Sequence, residues 1–305
     1  MKKIILSGIT CLALLASCSD DDDDNATPAP VVPNTQIPQT PTNANLSMNL
    51  SGLEDLGSNF AYEGWIIVNG SPVSTGTFTV DASGNPSKTT FSVNQAQLNA
   101  ATMYVLSIEP VPDSDPAPAA TKILAGPFSG NTATVSTDPV SSAGFNNIKG
   151  EYILATPTDG GSNTDEYSGI WFLNNSGMSP VAGLELPVLG AGWKYEGWAV
   201  INGVPVSTGT FTSVTGADEM SPFSNGGPAF PGEDFLMNAP AGLSFPTDIR
   251  GGNAVISIEP DPDNDPAPFT LKPLAGMIDA NLVPHTVASM NDNVNNSFPS
   301  GSVSR

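Results

Sequence analysis

The sequence predicts an all-β protein, built as two tandem, similar β-sandwich domains behind a signal peptide and a disordered, proline-rich stalk. Three observations carry this. Tyr62-Glu63-Gly64-Trp65 and the residues after it, through Thr79, return at Tyr195–Thr212, with 14 of 18 aligned positions identical. A repeat of that length at a long period marks a duplicated structural unit. Each copy carries Asn-Gly (Asn69-Gly70, Asn202-Gly203) between two runs rich in β-branched and aromatic residues. That is the signature of a type I′ hairpin, whose two central residues both need positive φ. Finally, 30 Gly and 29 Pro cut the chain into short alternating segments in which helical periodicity is scarce, the pattern of a sandwich.

The chain opens with a basic Met1-Lys2-Lys3, and Ile4 to Leu15 is an apolar run too short to anchor across a bilayer. Residues 1–17 therefore read as a signal peptide. It ends Leu15-Ala16-Ser17-Cys18, which resembles the lipobox of bacterial lipoproteins. That resemblance implies cleavage before Cys18 and its acylation by fatty chains such as palmitate. Asp20 to Asp24 are five consecutive carboxylates that must stay solvated. They are similar to the acidic tag that directs some lipoproteins to the outer face of the outer membrane. Residues 18–44 are expected to be a lipidated, acidic and Pro-rich tether, with Pro28, Pro30, Pro33, Pro38 and Pro41 favouring extended backbone.

Composition narrows the chemistry. The lipobox resemblance implies that Cys11 leaves with the leader and that Cys18 is acylated, so neither of the two Cys is expected to serve a disulfide or a catalytic thiolate. A net charge of −21 excludes nucleic acid as a partner and favours cations or basic partners. The expected partners are the lipid bilayer, through Cys18, and an envelope protein or extracellular ligand.

Repeat 1 spans 45–156. Leu46, Met48 and Leu50 alternate with polar residues as a strand does. The hairpin follows, then a loop at Asp81–Pro86, and Val93 to Ala101 is the one short helical stretch. Tyr104–Glu109 is a strand ended by Pro110, and the chain re-enters a strand near Lys122–Gly126. Gly150–Thr156 reads as the last strand of this repeat. A linker at 157–167 leads to repeat 2, 168–305, opened by Ile170–Leu173. The offset between copies is 133 at the hairpin and 150 at the Ser-Ile-Glu-Pro strand. The extra residues fall within Ser213–Gly252, expected as a surface excursion rather than core. At the offset of 150, Ser300–Arg305 corresponds to Gly150–Ala155, so repeat 2 is expected to close on its own last strand.

Tyr62, Trp65 and Phe78, with Tyr195, Trp198 and Phe211, read as core, and Gly64 and Gly197 leave room for a ring to cross the backbone. Asp113 and Asp115, and in the second copy Asp261, Asp263 and Asp265, are candidate calcium ligands, because alternate Asp residues can converge hard oxygens on one ion. The absent turn glycine and bidentate Glu favour solvated turns instead. No other cofactor is expected. Asn69 and Asn202, at the hairpin tips, are the candidate ligand surface together with these loops. Glu109 with Lys122, and Glu259 with Lys272, are expected to form cross-strand ion pairs. His285 is the only histidine, and no nucleophile elbow or phosphate loop occurs. No enzyme is expected.

Both copies share Tyr-x-x-Trp-x-x-Val/Ile-x-Gly-x-Pro-Val-x-x-Gly-x-Phe, followed by Ser-Ile-Glu-Pro and an Ala-Pro loop. This ordered set resembles the extracytoplasmic C-terminal domain of anti-sigma-K factors, over Tyr62–Gly126 and Tyr195–Gly276. The resemblance implies a shared β module. In place of that family's sigma-binding helical region and transmembrane helix, the expectation here is the signal peptide, acylated Cys18 and stalk. The expectation is thus a non-enzymatic, surface-exposed lipoprotein acting in binding or structure at the cell envelope. The alternative is a regulatory, envelope-sensing module that signals through a partner protein.

Overall fold

The computed structural model describes residues 42–161, 166–263 and 265–305. The signal peptide, Cys18, the Asp run and nearly all of the expected tether lie outside the described residues. The first copy supplies β1 (Asn43–Ser51), β2 (Phe60–Val68), β3 (Ser71–Phe78), β4 (Thr90–Asn94), α1 (Gln95–Ala100), β5 (Met103–Pro110), β6 (Lys122–Ser129) and β7 (Thr132–Val135). Next come β8 (Lys149–Leu154), β9 (Gly169–Trp171), β10 (Leu173–Asn174), β11 (Val181–Ala182) and β12 (Leu184–Glu185). The second hairpin is β13 (Trp193–Ile201) and β14 (Val204–Phe211), followed by β15 (Gly232–Asp234), β16 (Asn253–Pro260) and β17 (Leu274–Met277). The chain closes with β18 (Ala288–Ser289), β19 (Asn291–Asp292), α2 (Val294–Ser297) and β20 (Ser300–Ser304). The protein is all-β, as expected.

Local chemistry explains the hairpins. Asn69 and Gly70 sit at φ 51° and 79°, and Asn202 and Gly203 at φ 51° and 84°, the mirror-image turn that matches strand twist. In both copies the register shifts after the glycine of Glu-Gly-Trp, at Gly64/Trp65 and Gly197/Trp198. Thr75 and Thr208 are the extra residues on the partner strand, a β-bulge that bends the ribbon. The expected helical stretch shortens to α1, whose first turn is capped by the Asn94 side chain accepting from the Gln97 amide.

The first sheet is antiparallel in the order β3-β2-β5-β6-β7-β20-β1-β4. Its two ends curl together, with Phe91 of β4 lying 6.1 Å from Phe78 of β3 and against Gly76. This is a near-barrel, not the expected sandwich. The second copy repeats the order. β14-β13-β16-β17-β19 forms one sheet, and β8 is flanked by β9 and β18, with β15 beyond β9. β18 and β19 are consecutive pieces of one segment around Met290, whose amide donates to Gly150 O at 2.8 Å. Read through that segment, every strand of the first sheet has its counterpart.

That equivalence reassigns two strands. Lys149–Leu154, expected to end repeat 1, pairs with β9, β12 and β18 of the second unit. Ser300–Ser304, expected to close repeat 2, lies between β1 and β7 of the first. The second unit is therefore contiguous in sequence from β8, whereas the first is completed by the last strand.

The two units share one apolar core, which runs from Leu46 and Tyr62 through Phe172 and Tyr195 to Val303. Tyr62 stacks on Phe78 at 5.5 Å and Tyr195 on Phe211 at 5.6 Å. The Tyr104 ring crosses Gly64, and the Phe172 ring crosses Gly197. The insertion is not mere surface: it contains β15, and Phe235 and Ile249 within it are buried. Trp65 and Trp198 are also buried, but on the opposite face of the ribbon from this core, where the candidate site lies.

Candidate functional site

Strand alternation builds the site. On β13, Tyr195, Ala199 and Ile201 join the apolar core, so Glu196 and Trp198 project from the other face. On the neighbouring β16, Ile256 and Ile258 face the core, and Ser257 and Glu259 share the outer face with Glu196. Ser207 joins them from β14, opposite Trp198 in the register. Two hydrogen-bonded relays result, side by side. Trp198 Nε1 donates to Ser257 Oγ at 2.7 Å, and Ser257 Oγ donates to Glu259 Oε1. The Phe269 amide donates to both Glu259 oxygens at 3.0 and 3.2 Å. Ser207 Oγ donates to Glu196 and accepts from the Gly209 amide at 3.0 Å.

Asp263, from the loop after β16, brings a third carboxylate. One oxygen each from Glu196, Glu259 and Asp263 lies within 4.8 Å of the others. They sit on a cleft of about 460 Å³ whose walls include Met220, Phe223, Pro240, Pro262 and Pro266. Met220, Phe223 and Pro240 come from the insertion, which thus roofs the second unit's site. Lys194, at the rim, is held by Glu219 at 2.9 Å and by Asp261 at 3.5 Å.

Burial dominates the electrostatics. It pushes Glu259 up to about 8, with Asp263 and Glu196 adding repulsion against the opposing hydrogen bonds of Ser257 and the Phe269 amide. Glu196 rises to about 7, again through burial first, opposed by Ser207 and reinforced by Asp263. Nearby Asp218 rises to about 7 through burial, against the Gly232 amide that donates to it. Carboxylates held this way accept a proton or a cation near neutrality. An all-oxygen donor set suits a hard cation such as calcium or an ammonium or guanidinium group, although calcium takes six to eight oxygens.

The first unit repeats the relay without the roof. Trp65 Nε1 donates to Ser107 Oγ at 2.8 Å, Ser107 donates to Glu109, and the Ala119 amide donates to Glu109 at 2.8 Å. Ser74 donates to Glu63 and accepts from the Gly76 amide at 3.1 Å. Burial raises Glu109 as well. Asp113, the counterpart of Asp263, is exposed.

Among the five candidate calcium ligands, Asp263 alone enters the three-carboxylate group. Asp113 and Asp115 accept from the amides of Asp115 and Ala117 at 2.8 and 3.0 Å. Asp263 and Asp265 do the same for Asp265 and Ala267, both at 2.9 Å. These are Asx turns that shape the loops. Asn69 and Asn202 are exposed turn residues and do not line the cleft. The expected Glu109–Lys122 ion pair does not form; Lys122 Nζ donates instead to Ala119 O at 2.7 Å. Glu63 and Glu196 were not singled out as site residues. The available signal was their spacing: Glu two residues before Trp, and Ser two before Glu in Ser-Ile-Glu, each puts both side chains on one strand face, twice.

Against family models, curated proteins and solved structures, the chain finds no match.

Proposed function

We propose that this protein is a non-catalytic binding module of the bacterial envelope, lipid-anchored through Cys18, whose roofed acidic cleft takes a positively charged group. The observation that carries this is the meeting of Glu196, Glu259 and Asp263 beside Trp198 in a cleft with apolar walls. Three carboxylates this close repel one another unless a proton or a cation intervenes. The surrounding charge supports the same ligand class, since the chain carries 30 Asp and Glu against nine Lys and Arg.

Titration calorimetry tests it, with Trp fluorescence as a second readout. Calcium chloride and a short lysine-containing peptide are the two probes at pH 8, each against a Glu196→Gln/Glu259→Gln control. Saturable binding of either probe that is lost in the control supports the cleft. Binding by neither, or binding that survives in the control, overturns it. Protease digestion of intact cells, compared with a periplasmic marker, tests the anchored and outward-facing placement. Protection until the outer membrane is breached would overturn the cell-surface location.

A further inference from the structure

Beside the roofed cleft lies a second one, of about 360 Å³. Glu259 and Asp263 border both cavities, as do Pro260, Pro262 and Pro266, so the two share one wall. The far wall of the second cleft comes from the first unit, from the loop between β1 and β2 that runs through Glu54 to Phe60. The second cleft therefore lies where the two units meet. We propose, resting on the cation-binding reading of the first cleft, that the two cavities form one bipartite site for a peptide. A lysine or arginine side chain enters the roofed acidic cleft, and the aromatic side chain of the neighbouring residue enters the second.

The apolar half is open for a reason visible in the repeat. Phe60 and Trp193 are equivalent, each paired with the proline that ends the next strand, Pro110 and Pro260. The amide that caps the relay glutamate belongs to Ala119 in the first unit and to Phe269 in the second. Trp193 lies 6.1 Å from Phe269 and is buried. Phe60, where the matching residue is the small Ala119, stays half-buried. Its ring lines the second cleft with Leu56 and Phe269, a surface that an aromatic side chain would remove from water.

The first unit's wall is built before any ligand arrives. Tyr62 Oη, from the core, donates to Glu54 O at 3.0 Å and accepts from the Glu54 amide at 3.1 Å. The Val111 amide donates to Asn59 O at 2.8 Å. A wall fixed in this way lowers the ordering cost of binding. Charge then selects the ligand. Glu54, Asp55 and Asp265 join Glu259 and Asp263 around the second cleft. Burial raises Glu54, and Asp265 and Asp263 add repulsion, against the Lys272 ammonium and the Thr270 amide. A basic peptide relieves this repulsion and an acidic one adds to it. A bare metal ion would use the carboxylates and leave the apolar half empty, whereas a peptide fills both.

Calorimetry on the full chain at pH 8 tests this with three peptides blocked at both ends, Gly-Lys-Phe-Gly, Gly-Phe-Lys-Gly and Gly-Lys-Gly-Gly. At least one of the phenylalanine peptides should bind about tenfold tighter than Gly-Lys-Gly-Gly, the gain expected from burying the ring. Phe60→Ala should remove that gain and leave the affinity for Gly-Lys-Gly-Gly as it was. Equal affinities for all three peptides in the wild type, or a preference that survives Phe60→Ala, overturn the bipartite site. If thermal melting shows that Phe60→Ala does not fold, Leu56→Asp on the same wall takes its place, with the same two outcomes. Failure of the underlying cation reading looks different. Calcium bound with no lysine peptide bound keeps the acidic cleft and overturns the peptide site, whereas binding of neither overturns both.

Discussion

Val303 lies directly opposite Met48 across the β1–β20 ladder, and both are buried. One residue near each end of the described chain thus meets in the wall of the first unit. Replacing Val303 with Ala removes two methyl groups from a fully buried site and should cost about 2 kcal/mol. In a chain of this size that lowers Tm by roughly 3–4 °C. Thermal melting of the variant checks the magnitude. Amide exchange should locate the loss in β1, β7 and β20 rather than in β13 and β16.

Gly197 tests the bulge. A Cβ there would come within 2.7 Å of the Phe172 ring and into the Thr208 hydroxyl. Both neighbours are fully buried, so neither can move aside without disturbing the core. Gly197→Ala should destabilise the protein by about 2–3 kcal/mol through overpacking. Gly203→Ala, at a turn with nothing within 4 Å, should lose only the positive-φ penalty of about 1 kcal/mol. Denaturant midpoints of the two variants give the comparison. An equal loss in both would mean that the ring does not depend on the missing side chain.

Glu196, Asp218 and Glu259 make stability depend on pH. Each carries a raised pKa in the fold, at about 7, 7 and 8. The native state therefore holds protons that the unfolded chain has released, and stability falls as pH rises from about 4.5 through 8. Carboxyls with lowered values, such as Glu151, Glu219 and Asp248, act only below that window, where they lose their partners. Melting in the absence of added cations should therefore give a higher Tm at pH 5 than at pH 8.5. A flat profile over this range would contradict the burial that raises these three carboxyls.

Much of the local structure was legible because local chemistry decides it. Asn-Gly turns need no distant partner, and the Tyr-Phe pairs of each hairpin follow from its register. The exchange of β8 and β20 was not legible. Gly150–Thr156 and Ser300–Arg305 occupy the same place in the repeat, and strands of five or six residues carry no record of which equivalent slot they enter. The acid relay was half visible. Ser-Ile-Glu announces two side chains on one face, but Glu109 and Glu259 look like partners for Lys122 and Lys272 until the Ser hydroxyls and the Ala119 and Phe269 amides are seen to occupy them. The insertion misleads for a similar reason: its Gly and Pro content conceals the short strand at Gly232–Asp234 and the apolar Phe235.

Glu196 separates a binding role from a structural one. Glu196→Gln keeps an oxygen for the Ser207 hydroxyl but removes a charge that the site disfavours. At pH 8 the wild-type carboxylate is largely ionised despite burial and the nearby Asp263. The neutral side chain should therefore raise stability, by about 1–2 kcal/mol after allowance for residual solvation. At pH 5 the folded wild-type group is protonated and the unfolded one only partly ionised, so the gap between the two proteins should shrink to less than about 1 kcal/mol. A carboxylate retained only for folding would show the reverse, with the variant less stable at both values. Cation affinity should move the opposite way, falling at least tenfold at pH 8 as one of three converging oxygens loses its charge. Melting curves and calorimetric titrations on the same samples measure both quantities. A variant that is stabilised at pH 8 and weakened in cation binding would identify Glu196 as a group held at the expense of stability for its ligand.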